Sequence, residues 1–309
     1  MASAALAIVG ATATGKTDLA IAVAQRLTGE VVSMDSRQVY RGMDIGTAKP
    51  TPAERRGVPH HGFDLVDPDE RFNAGRFAAL ARGWIEQIRA RGHVPILAGG
   101  TGFFLRALTY PMFDEPPLDA ARKESWKRYL AQLSGEEITR WARELDPVAT
   151  ARTHDRQRLA RVIEIAVLTG RPLSWWHGRT ENVPPAIDPV VFVLDLPRTV
   201  LYRRIEARVE RMLDAGLVRE VRGLMEGGYD ERAPGMNATG YIELVPFIRG
   251  ERTLDEAIEL IRSATRRYAR RQLTWLRHQL PAGAIRLDAQ VPAAALADTV
   301  ARVWHERNT

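Results

Sequence analysis

An unbroken apolar run, Ala5 to Val9, opens the chain and stops at Gly10, and Asp18 to Leu27 then carries apolar residues at helical spacing. The first run predicts a strand buried on both faces, the second a helix packed against it. The alternation repeats. Val31 to Met34 is a short β-branched run ending at Asp35, and Phe72 to Arg89 places Phe77, Leu80, Trp84 and Ile88 on one helical face. Val94 to Ala98 is a further apolar run that closes on Gly99-Gly100-Thr101-Gly102. Strand and helix in turn predict an α/β fold, a parallel sheet covered by helices. In such sheets ligands gather at the carboxyl ends of the strands. The Gly10 loop, Asp35 and the Gly99–Thr101 turn should therefore meet at one edge.

The pattern changes near Pro111. From Asp119 to Gly170 strand spacing is absent and several helices are expected, one with Leu159, Val162, Ile163 and Ala166 as its apolar stripe. The proline-rich Asn182-Val183-Pro184-Pro185 closes this segment. Val190 to Leu194 returns to strand character with Asp195 at its end. A long amphipathic helix follows from about Thr199 to Ala215, then a short strand Ile285–Leu287 and a helix Ala294–His305. The expected organisation is a core of residues 1–109 and 190–309, with an all-helical insertion at 110–189. Internal repeats and low-complexity segments are absent.

Composition narrows the class. The 309 residues are 45% hydrophobic and 27% charged, ordinary for a chain with a sizeable core. No apolar stretch approaches the ~18 residues of a membrane span, and no signal peptide is expected. The absence of cysteine excludes disulfides and thiolate metal sites and fits a reducing, cytoplasmic setting. The net charge of +6 favours an anionic partner. Arg262, Arg266, Arg267, Arg270, Arg271 and Arg277 lie in a stretch without an acidic residue. A solvated face would need interspersed acids to limit repulsion, so this helix is expected to meet nucleic-acid phosphates. Ile261, Tyr268, Gln272 and Trp275 fall on its other, inward face.

Gly10-Ala11-Thr12-Ala13-Thr14-Gly15-Lys16-Thr17 has the spacing of a phosphate-binding loop between a strand and a helix. Gly10 and Gly15 allow dihedrals and close approaches that a β-carbon would block. Loop amides and the positive helix end then face phosphate oxygens. Lys16 supplies a mobile charge, and the Thr17 hydroxyl is a candidate Mg²⁺ ligand. A nucleotide kinase would need a second carboxylate after an apolar strand, for which Asp195 is the positional candidate. Asp35, close after a strand, could instead accept a proton from an attacking amine or hydroxyl, or N-cap a following short helix.

Asp35-Ser36-Arg37-Gln38-Val39-Tyr40-Arg41-Gly42-Met43-Asp44-Ile45-Gly46-Thr47-Ala48-Lys49-Pro50 resembles the signature of the bacterial tRNA dimethylallyltransferases. The resemblance continues through Pro59-His60-His61, Asp67-Pro68, Gly99–Gly102, Gln157–Arg161 and Arg271-Gln272-Leu273-Thr274-Trp275-Leu276. It implies transfer of a dimethylallyl group from dimethylallyl diphosphate to N6 of adenosine 37, beside the anticodon, in tRNAs carrying A36-A37-A38. By the same resemblance the loop Gly10–Thr17 holds the diphosphate with Mg²⁺, Asp35 is the general base, and Thr101 and Arg208 belong to the active site. Ser36, Arg37, Gln38, Arg122, Gln157, Arg158, Leu159, Ala160 and Arg161 are implied as tRNA contacts along with Asp35 and Thr101. The helical insertion would grip the anticodon stem-loop, and the enzyme would be a monomer.

The chain departs from the family pattern at Ala11 and Thr14, where Pro and Ser are usual, and before Gly240-Tyr241. Phe104, where Tyr is common, is expected to alter the prenyl channel. A transferase acting on free AMP is the alternative with the same chemistry; AMP would need neither the helical insertion nor the basic helix.

Overall fold

A computed structural model describes residues 5–110, 118–151, 153–178 and 187–308. The chain runs β1 (Ala5–Gly10), α1 (Lys16–Leu27), β2 (Gly29–Ser33), β3 (His60–His61), α2 (Ala74–Ala90), β4 (Val94–Gly99) and α3 (Gly102–Thr109). Next come α4 (Ala120–Gln132), α5 (Gly135–Leu145), α6 (Pro147–Thr150), α7 (Arg156–Thr169) and α8 (Leu173–His177). The chain then returns through β5 (Pro189–Asp195), α9 (Arg198–Asp214), α10 (Leu217–Glu226), α11 (Val245–Ile248), α12 (Leu254–His278), β6 (Ile285–Asp288) and α13 (Ala293–Asn308). It divides into two compact units, residues 1–109 with 187–309, and residues 110–186. Both the change of pattern near Pro111 and the proline-rich Asn182–Pro185 lie outside the described residues.

The larger unit is the expected α/β sheet. Six parallel strands run in the order β3-β2-β4-β1-β5-β6. β1 is central and wholly buried, which is why its sequence is apolar without alternation. A dry core forms where α1 and α13 cover β1 and β5 through Leu19, Val23, Phe192, Val300 and Trp304. α1 starts at Lys16, two residues ahead of the sequence expectation, because Gly15 adopts a left-handed φ of 88° and turns the loop directly into the helix. β3 escaped sequence reading because two residues carry no period. A second core joins α9–α12 to the segment after β2 through Val39, Met43, Val209, Leu217, Tyr241 and Ile261.

At the amino end of β2, Glu30 is buried between three cationic or cation-forming partners. Arg91 donates through Nε and Nη2 at 2.9 and 2.8 Å, His93 Nδ1 lies at 2.8 Å and His61 Nε2 at 2.7 Å. Burial alone would raise this carboxyl. The hydrogen bonds, that of Arg91 foremost, prevail and hold it near about 2.

Helices α4–α8 form the described part of the smaller unit around Leu130, Ile138, Leu159, Ile163 and Leu173. Ser134 and Glu137 close a capping box at the start of α5. No helix among the described residues is long and apolar enough to cross a membrane.

Candidate active site

The phosphate loop has the strain its sequence forecasts. A β-carbon on Gly10 would lie 2.7 Å from Thr14 Oγ1 and 3.1 Å from the Leu194 carbonyl. Gly15 and also Ala13 (φ 63°) are left-handed, so a non-glycine residue holds part of the turn. Thr14 is buried and its hydroxyl donates to the Ala11 carbonyl at 2.9 Å, bracing the loop from inside. Lys16 Nζ donates to the same carbonyl at 2.6 Å.

Thr12, Lys16 and Thr17 line a cavity of about 230 Å³ at the carboxyl ends of the strands. Asp35, Arg37 and Gln38 from the end of β2 line it too, as do Gly99 and Gly100 from β4. Arg208 enters from α9, and Tyr268, Arg271 and Gln272 from α12. Lys16 and Arg208 thus share one cavity, with Arg37 and Arg271 also on its wall. Burial first, and the Arg208 guanidinium second, push Lys16 down to about 7 against the opposing pull of Asp35. Burial likewise lowers Arg208. A polyanion is the ligand that relieves this arrangement.

No helix directly follows Asp35, so it caps none; it closes a turn and borders the cavity. Its Oδ1 accepts from the Arg37 backbone N–H at 2.8 Å, fixing the turn, while the carboxylate faces the cavity. The Thr101 hydroxyl accepts from the Ser36 N–H at 3.1 Å and donates to Ser36 Oγ at 3.4 Å. Burial, then the charge of Asp35, push the Tyr268 phenol up to about 12, so it keeps its proton near neutral pH. Gln38 is buried with both ends of its amide engaged, accepting from Ser33 Oγ at 2.8 Å and donating to the Thr47 and Ala48 carbonyls. Arg37 donates to the Pro234 carbonyl at 3.1 Å.

The donor set fits a magnesium ion held mainly by its ligand. Thr17 is the second residue of α1 and its exposed side chain borders the cavity. The described residues contain no group of three metal-binding side chains. One hydroxyl supplemented by phosphate oxygens and water is the usual Mg²⁺ environment. Asp195, the second carboxylate a kinase would use, is not among the residues lining the cavity and pairs with Arg286 Nη1 through its Oδ2 at 2.5 Å.

Three expectations are corrected. The acid-free stretch on α12 does not leave its first arginines for phosphate. Arg262 pairs with Glu259 at 2.5 Å and with Glu210 at 3.1 Å, and Arg266 pairs with Glu206 at 3.0 Å. The compensating acids come from the preceding turn and from α9. Phe104 is not among the residues lining the cavity: it is 3% exposed and stacks on Phe77 with centroids 4.1 Å apart. Leu159 points into the core of the smaller unit, so its side chain supports α7 and does not face a partner.

Arg267 and Arg271 do remain exposed, Arg271 above the Tyr268 ring. In the smaller unit Arg122 on α4 and Gln157 and Arg158 on α7 are exposed, and Ala160 is half-buried. Arg161, also half-buried, donates to Glu164 Oε1 at 2.7 Å. A larger but shallow depression of about 450 Å³ follows α5 alone and brings no converging groups together.

Sequence reading missed how the cavity wall is built. Glu220 accepts from the consecutive N–H groups of Asp44, Ile45 and Gly46 at 3.0, 2.8 and 3.1 Å, and from Tyr241 Oη at 2.5 Å. A β-carbon on Gly46 would overlap the Tyr241 ring. Lys49, also buried, donates to the Tyr40 carbonyl at 3.1 Å and to Asp64 at 2.6 Å, and pairs with Asp44. These partners are far apart in sequence, and the only advance signal was a lysine and a glycine at fixed places in the signature.

The IPP transferase family model matches residues 38–279, and the isopentenyl transferase model matches residues 3–61. The chain belongs to the IPP transferase family. It is 44% identical over 309 residues to a tRNA dimethylallyltransferase from a Roseiflexus species, covering 97% of this chain and 98% of the relative. With the tRNA dimethylallyltransferase of Acetivibrio thermocellus it shares 41% identity over 88% of each chain. Among solved structures, the tRNA delta(2)-isopentenylpyrophosphate transferase of Staphylococcus epidermidis superposes with a TM-score of 0.70 at 36% identity, over 98% of both chains. A eukaryotic dimethylallyltransferase acting on tRNA superposes with a TM-score of 0.80 at 29% identity, over 92% of this chain and 73% of that one.

Proposed function

We propose that the protein transfers the dimethylallyl group of dimethylallyl diphosphate to N6 of adenosine 37 in tRNA and releases diphosphate. The observation that carries this reading is one cavity holding a phosphate loop, the half-buried cations Lys16 and Arg208, and a carboxylate. The loop amides, Lys16 and Arg208 hold the diphosphate and stabilise the charge that grows on it as the allylic C–O bond breaks. Thr17 would hold a Mg²⁺ ion, which adds positive charge at the leaving group. The adenine amine is a weak nucleophile because its lone pair is delocalised, and an allylic carbon offsets this through a loose, partly cationic transition state. As the N6–C bond forms, Asp35 takes the amine proton. Thr101, whose hydroxyl accepts from the Ser36 N–H, is assigned to the acceptor side of the same reaction.

An adenine in a stacked loop hides its amino edge, so the base must leave the stack to reach Asp35. In this reading Gln157, Arg158 and Arg161 on α7, with Arg122, contact the displaced anticodon loop, and Arg267 and Arg271 meet phosphates. The family resemblance favours a monomer, and a cysteine-free chain suits the cytoplasm. The test is to incubate the protein with Mg²⁺, labelled dimethylallyl diphosphate and either an unmodified tRNA carrying A36-A37-A38 or AMP. Label at N6 of the tRNA adenosine is expected. Label in AMP alone, or in neither acceptor, overturns the reading.

A further inference from the structure

Gln272 is a polar residue on the buried face of α12, only 6% exposed, and it belongs to neither substrate's expected contact set. Its Oε1 accepts from the Thr12 backbone N–H at 2.8 Å, and its Nε2 donates to the Gly100 carbonyl at 2.9 Å. One amide therefore spans from the phosphate loop, 260 residues earlier, to the β4–α3 turn, 172 residues earlier. The Gly100 position is cut to fit it, since a β-carbon there would overlap Nε2. One turn back along α12, Tyr268 lines the same cavity. On the other side of Gly100, Trp275 packs where a β-carbon on Gly102 would lie.

We infer that Gln272 is a positioning residue that sets the distance between the bound leaving group and the acceptor-side Thr101 turn. The inference rests on the prenyl-transfer reading above. The physical reason is the planarity of the amide. Its donor and acceptor ends are at a fixed separation, and both partners are backbone groups, so neither can follow by changing rotamer. The Thr12 N–H is committed to Gln272, which makes this amide part of the frame of the loop. Transfer between two substrates needs the reacting nitrogen and carbon held in line near contact, and small misplacement costs rate more than affinity.

The test uses the full chain with dimethylallyl diphosphate, Mg²⁺ and an anticodon stem-loop RNA. Gln272→Leu, close in shape but without hydrogen bonds, is expected to lower the single-turnover transfer rate at saturation by about tenfold or more. Dissociation constants for donor and RNA, measured separately by calorimetry, should stay within about threefold of wild type. Gly100→Ala displaces the same amide by its added methyl and should show the same split. In the double variant the losses should not add, because both changes break one bridge. A single-turnover rate close to wild type, a loss confined to donor binding, or additive losses would each overturn the inference. A wild-type protein that transfers no label would instead refute the prenyl-transfer reading itself.

Discussion

Thr101 and Asp35 are joined through one backbone amide: the Thr101 hydroxyl accepts from the N–H of Ser36, the residue that follows Asp35, at 3.1 Å. The β2 and β4 ends are adjacent because their strands pair in parallel, Ser33 opposite Ala98. The carboxylate and hydroxyl are thus held by two neighbouring strands of a rigid sheet, which favours precise placement.

Asp35→Asn keeps the side-chain oxygen that accepts from Arg37 and removes the proton acceptor. Transfer is expected to fall by about 10²–10⁴ while tRNA binding in a filter assay stays close to wild type. A variant turning over at the wild-type rate would exclude the base role.

Lys16, held down at about 7 when no anion is present, should regain its proton as diphosphate binds. A ligand that prefers the ammonium form binds equally well below about pH 7 and loses affinity as pH rises through that value, by at most about tenfold per unit. Titrations at pH 8 in buffers of different ionisation enthalpy should report proton uptake. Lys16→Met should weaken binding and abolish the uptake; an uptake that survives this change assigns the proton elsewhere.

The two halves of the α12 arginine stretch should separate experimentally. Arg267→Ala with Arg271→Ala is expected to weaken tRNA binding and reduce the salt slope by about 2, one per lost phosphate contact. Arg262→Ala with Arg266→Ala removes pairs with Glu210, Glu259 and Glu206 and should leave the slope unchanged. These partly exposed pairs contribute only about 0–1 kcal/mol each to stability. Equal slopes for the two double variants would refute the division.

Glu30 predicts an acid-sensitive stability. Its carboxyl is lowered from 4.5 to about 2 by folding, so the unfolded chain binds the proton more readily. The contribution, on the order of 3 kcal/mol, is complete above about pH 4.5 and is lost as pH falls towards 2. Glu30→Gln should lower the denaturant midpoint at pH 7, and its difference from wild type should shrink below pH 4.5. A difference independent of pH would mean that packing, not charge, is what the substitution removes.

Much of the phosphate loop was legible in the chain, because Gly10, Gly15, Lys16 and Thr17 act through local dihedrals and short-range reach. The buried strands β1, β4 and β5 were equally plain, since a strand covered on both faces must be apolar throughout. Glu206 and Glu210 were visible as residues but not as partners of Arg266 and Arg262, because α9 and α12 lie about sixty residues apart and meet only in the folded core. Phe104 likewise could be read as a channel residue; its burial against Phe77 from α2 exists only in the fold.

The order of residues by itself determined the parallel sheet, the anion cradle at its edge and the family to which the chain belongs, all consequences of short-range pattern. Tertiary structure alone decided which arginines remain for a partner, how Glu220 clamps the wall of the cavity, and that Gln272 spans the loop and the Thr101 turn. Hydrogen bonds and ion pairs between distant segments have no period and no fixed spacing; they exist only once the core brings their atoms within 3 Å or so of each other.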